Sequence, residues 1–145
     1  MEFPVPVRRA VTLVDDGRYD TGWRPALERA GVLLLEVDTA GVHGADEFFA
    51  RAAAALALPA GTRIGGWSGL EDYLRQQVAT WPREAAMIVM RRVEDMARGC
   101  LGDLLEAVSV LRDLVVAAES DAQNFPNDVA VRVALTGSGP SFPDG

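Results

Sequence analysis

The chain has 145 residues, of which 49% are apolar and 24% charged; that fits one domain with a packed core and excludes disorder along its whole length. Its apolar runs at 32–35 and 52–59 fall far short of the roughly 20 residues a membrane span needs. The balance of 21 acidic against 14 basic side chains, a formal charge of −7, argues against a nucleic-acid backbone as the main ligand and suits a basic macromolecular partner.

The first nine residues place their basic charges, Arg8 and Arg9, after the apolar ones and lack the apolar stretch of a signal, so export is not expected and the cytoplasm is. Residues 11–14 read as a short strand, and Asp15-Asp16-Gly17 as a turn. Residues 22–31 are expected to hold a short helix ended by Gly31. The nearly continuous apolar run at 32–38 has the pattern of a strand covered on both faces. Residues 45–58 are helical in composition, with Phe48, Phe49, Ala52, Ala53 and Leu56 as the core stripe and Pro59 closing the helix.

A glycine-bearing loop comes next at 61–66. Trp67 opens a second helix, in which Trp67, Leu70, Leu74, Val78 and Trp81 recur at intervals of 3, 4, 4 and 3, before Pro82 stops it. Residues 87–90 form the next strand. Residues 93–118 read as one or two helices broken near Gly99 and Gly102, with Leu104, Val108, Leu111 and Val115 on the apolar face. Asp128 starts a last strand at 129–135, and residues 137–145 are a flexible Gly/Pro/Ser-rich tail. Strands near 32–37, 86–91 and 129–135 alternate with helices, which implies an α/β fold. Its small parallel sheet has three main strands, or four if 11–14 joins.

Catalytic motifs fail one by one. His43 is the sole histidine, and Ser68 in Gly66-Trp67-Ser68-Gly69 misses the G-x-S-x-G elbow because its second glycine comes one residue early. His43 also precedes Ser68, the wrong order for that hydrolase fold. The 61–69 loop lacks the Gly-Lys-Ser/Thr of a phosphate cradle. One histidine and one cysteine leave only carboxylates for a metal, with no D-x-D-x-D-G loop among them. Cys100 reads as a small buried residue. Neighbouring carboxylates, such as Glu36/Asp38 and Glu71/Asp72, do not flank a cleft in the way acid–base catalysis demands. The expectation is a protein that is not an enzyme and takes no cofactor or metal.

Leu58-Pro59, Gly65, Trp67, Leu70, Asp72 and Leu74 together resemble the hallmark l-P-x-x-x-G-x-N-W/L-D-A-L-x-D-x-L of the barstar family, inhibitors of barnase-type ribonucleases. The order of elements over about residues 32–136 agrees. The resemblance implies a barstar-like fold with helices packed mainly on one face of the sheet, residues 1–31 as an N-terminal extension, and 137–145 as the tail. It also implies a bacterial immunity protein or antitoxin, a monomer, that blocks a basic extracellular-type ribonuclease or related toxin and touches neither nucleic acid nor membrane directly. The alternative is a barstar-fold interaction module with a non-nuclease partner. Two positions depart from the pattern: Gly66 stands at the motif's asparagine and Ser68 at its first aspartate, while the second aspartate is kept as Asp72. The family's acidic position in the last helix aligns with Asp113.

Spacing supports one shared surface. Ser68 and Asp72, four apart on a helix, share a face bordered by Glu71 and turned away from Leu70, Leu74 and Val78. Glu106 and Asp113, seven apart, lie opposite Leu104, Leu111 and Val115. With the helices side by side these carboxylates form one acidic surface around Trp67. The residues expected to meet the partner are Ile64, Trp67, Ser68, Glu71, Asp72, Gln76 and Asp113.

Overall fold

The computed structural model describes residues 2–7, 9–59, 61–81, 84–120 and 129–142. Four strands, β1 (Val11–Asp15), β2 (Leu33–Asp38), β3 (Ala85–Arg91) and β4 (Ala130–Gly137), form one parallel sheet in the order β1-β4-β3-β2. The segment at 11–15 thus joins as a fourth strand, pairing Val11 with Val133 and Leu13 with Leu135. β3 is central and buried from Ala85 to Met90, as an apolar run inside a parallel sheet requires.

Crossover handedness explains where the helices lie. From β1 the chain crosses the whole sheet to β2, then steps back through β3 to β4. With right-handed crossovers, this reversal puts the first connection on one face and the later ones on the other. The first connection is α1 (Asp16–Arg18), a π-helical turn (Tyr19–Trp23) and α2 (Arg24–Arg29). Tyr19, Trp23 and Leu27 bury there against Val14, Met87, Val89 and Ala134. The main core lies opposite, under α3 (Ala45–Ala55), α4 (Trp67–Thr80), α5 (Glu94–Gly99) and α6 (Leu101–Ser120). Among the described residues no helix is long and apolar enough to cross a membrane.

Several boundaries differ from expectation for local reasons. Helical structure starts at Asp16 because the Asp15 carboxylate accepts the Arg18 N–H at 3.1 Å, turning an apparent turn signal into a helix cap. α3 stops at Ala55, and Ala57 takes a left-handed φ of 53° before Pro59. The break between α5 and α6 falls at Cys100, which is half-buried. β4 runs on to Gly137, where an added Cβ would lie 2.5 Å from the Phe142 ring; Phe142 packs onto the main core. Pro82 and Asp128, expected to stop α4 and start the last strand, lie outside the described residues, as do 143–145 of the tail.

Candidate protein-binding surface

The loop at 61–66 links α3 to α4, and two apolar side chains hold it down. Ile64 points inward, 7% exposed, as part of the main core. Trp67, the first residue of α4, is half-buried against α3, with its ring 4.7 Å from Phe49 and 5.7 Å from Phe48. Arg63 and Gly65 on either side of Ile64 remain exposed. A cleft of about 150 Å³ opens beside the loop, lined by Asp46, Phe49, Ala50, Ala53, Arg63 and Ile64.

The 3.6-residue period then fixes what α4 shows to solvent. Leu70, Leu74 and Val78 are buried, so Ser68, Asp72 and Gln76, spaced by four, form an exposed row on the far side. Glu71 borders this row, and its carboxylate accepts from the Arg75 guanidinium at 2.8 Å, which neutralises part of its charge.

α6 lies beside α4. Leu111 of α6 lines the same core space as Leu70 and Leu74, together with Phe48 and Ile88. The expected apolar face of α6 is buried at Leu104, Leu111 and Val115, with Val108 half-buried. Glu106 and Asp113 are exposed. Among the described residues no ion pair reaches Asp72, Glu106 or Asp113. Asp72 and Asp113 each stand two residues beyond a leucine of the shared core space. They therefore sit on adjoining helices with their charges open to solvent.

A second charged cluster, at the carboxyl ends of the strands, is satisfied internally. The Arg91 guanidinium donates twice to Asp16 at 3.0 Å and lies over the Tyr19 ring. Arg24 pairs with Glu36 at 3.0 Å and with Asp20 at 2.5 Å. The Tyr19 hydroxyl donates to Glu36; burial, and then this carboxylate, push the phenol well above its ordinary pKa. Thr136 donates to Asp16 at 2.6 Å. The bonds to Asp16 and from Tyr19 join positions far apart in the chain, so pairing carboxylates with their sequence neighbours misses them. Periodicity gives the row on α4, whereas the partners of Asp16 and Glu36 leave no local signal.

A family model described as Barstar (barnase inhibitor) matches residues 32–130. The match runs from the residue before β2 to the start of β4 and leaves β1, α1 and α2 outside it. Among curated proteins none matches the chain.

Proposed function

The chain belongs to the barstar family, and on that premise we propose that it binds and inhibits a basic barnase-type ribonuclease or related toxin in the cytoplasm. Asp72 of α4 and Asp113 of α6 take the places of substrate phosphates and pair with the enzyme's arginines and lysines. Ser68 and Gln76 extend the contact along α4, and the exposed part of Trp67 adds an apolar anchor next to it. Glu71 contributes at the border, weakened by Arg75. Ile64 acts from beneath, holding the loop in shape for its exposed neighbours. Occlusion of this kind needs no bond-making by the inhibitor.

The single observation that carries this reading is the pair of solvent-open carboxylates on packed helices, unmatched by cations among the described residues, in a chain whose net charge is −7. Ser68, standing where the family motif has aspartate, favours a second reading in which the same surface serves a non-nuclease partner.

The experiment is capture from the producing cell on the immobilised chain, with elution in rising salt. Elution of a small basic ribonuclease at high ionic strength supports inhibition, because solvent-accessible charge pairs are screened there. A recovered partner without nuclease activity supports the second reading. A partner that is acidic, or is retained regardless of salt, contradicts both.

A further inference from the structure

The loop that enters α4 carries a charge opposite in sign to that of the row on the helix. Arg63 precedes the buried Ile64 and is itself exposed. Among the described residues no ion pair reaches it. Between Gly61 and Gln76 the charged residues are Arg63, Glu71, Asp72 and Arg75, so this stretch is formally neutral in a chain of −7. Glu71 and Arg75 are matched to each other. What the surface offers a partner is therefore a cation at the loop end, the neutral Ser68 between, and the anion of Asp72 on the helix.

Arg63 also stands at the cleft of about 150 Å³ between the loop and α3, whose floor is the buried Phe49 and Ile64. That space is ample for a carboxylate and its methylene stem, since about 15 Å³ already admits a water. Asp46 lines the opposite wall but forms no ion pair with Arg63. It lies in the first turn of α3, where the free N–H groups of the helix favour its negative charge. Arg63, on a loop, has no helix terminus to do the same for it.

A partner seated on α4 covers this arginine as well. Four residues of chain span at most about 14 Å, which bounds the distance from Arg63 to Trp67. Asp72 is about 8 Å from Trp67 along the helix. A standard interface of about 800 Å² per partner is a disc of about 16 Å radius, so one centred on Trp67 takes in both charges. Covering a guanidinium with a uniformly basic surface removes its water and sets like charges together, which opposes binding.

We infer that the ribonuclease proposed above presents, at the edge of its cationic cleft, an aspartate or glutamate that pairs with Arg63 at the mouth of this cleft. The inference rests on the inhibitor reading and narrows it. Asp72 and Asp113 engage the partner's cations, while Arg63 selects, among basic nucleases, those with a carboxylate at the matching place. Arginine suits that task because its planar fork can hold both oxygens of a carboxylate at once.

Calorimetric titration of the ribonuclease recovered on the immobilised full chain tests it, and the sign of the effect decides. Arg63→Ala weakens binding at least about tenfold, and Arg63→Glu weakens it further, by about a hundredfold or more. Both keep the wild-type melting temperature, because the side chain is exposed and makes no ion pair among the described residues. When the partner's aspartates and glutamates are changed to lysine one at a time, one of these changes restores binding to Arg63→Glu. Tighter binding by Arg63→Ala is what an arginine facing only cations gives, and it overturns the inference; so does unchanged binding, or the lack of any restoring change. If Asp72→Ala still weakens the complex in those cases, the inhibitor reading stands without this contact. If Asp72→Ala has no effect while Arg63→Ala weakens binding, the contact stands and the role given to Asp72 falls. Recovery of no ribonuclease overturns both.

Discussion

The indole of Trp67 stands edge-on to the ring of Phe49, with centroids 4.7 Å apart and planes at 69°. Phe49 is buried in α3 and Trp67 begins α4, so this contact sets both the depth and the rotation at which α4 enters the domain. Rotation decides which residues face solvent: with Leu70 inward, Ser68 and Asp72 have no choice but to face out. The chemistry proposed for α4 therefore depends on an aromatic contact that carries no charge.

Trp67→Ala removes this edge-on contact and the weaker one to Phe48. Its expected cost is about 2–4 kcal/mol, at or below the usual range for a buried tryptophan because the side chain is only half-buried. Partner affinity falls as well. Trp67→Phe recovers most of the stability. Urea midpoints check the first effect; a cost below the noise would show that α4 is held by Leu70 and Leu74 alone.

The N-terminal segment, although outside the family match, is expected to unfold together with the rest. Leu27 is fully buried against the same sheet face as Met87 and Val89. Leu27→Ala should cost about 2–5 kcal/mol, comparable to Leu111→Ala on the opposite face. Calorimetry of either variant should show one transition at a lower temperature. A separate low-temperature transition in Leu27→Ala would mean that residues 11–31 form an independent unit.

The legibility of the sequence tracks the range of the interactions. β2, β3, α4 and α6 announce themselves through apolar period, and the exposed row Ser68, Asp72, Gln76 comes from spacing by four. The first helix is hidden because Asp15-Asp16-Gly17 has turn composition, while the Asp15 side chain caps the helix that begins at Asp16. Ile64 looks like a loop residue on offer to a partner, yet as the apolar side chain between exposed Arg63 and Gly65 it pins the loop to the core. The coupling of Asp16 to Arg91 and of Tyr19 to Glu36 crosses the sheet and is set by tertiary contact alone.

Stability should fall at both ends of the pH range, for different groups. Burial raises the Asp38 carboxyl, but the Ala40 N–H and the Arg92 guanidinium outweigh it and hold it below its ordinary value. At Asp95 the Gly41 N–H, against some burial, acts the same way with Arg98. A carboxyl held low binds fewer protons folded than unfolded, so its contribution is present above about pH 4 and lost as pH drops through the folded value. Tyr19 is shifted upward, so the folded chain keeps a proton that the unfolded chain releases near pH 10; stability declines as pH rises beyond that. Chemical denaturation across the pH range checks both limbs. Asp38→Asn should flatten the acid one and Tyr19→Phe the alkaline one, and unchanged limbs would remove these groups from the account.

The central claim is that Asp72 is kept for a partner rather than for the fold. The direct measurement is inhibition of a purified barnase-type ribonuclease by wild type and by Asp72→Ala, with melting temperatures alongside. The account predicts a loss of binding of about 2–5 kcal/mol, with stability unchanged to within about 0.5 kcal/mol since Asp72 is exposed and makes no ion pair among the described residues. Equal inhibition by the two proteins, or a loss of inhibition matched by a loss of stability, would contradict it.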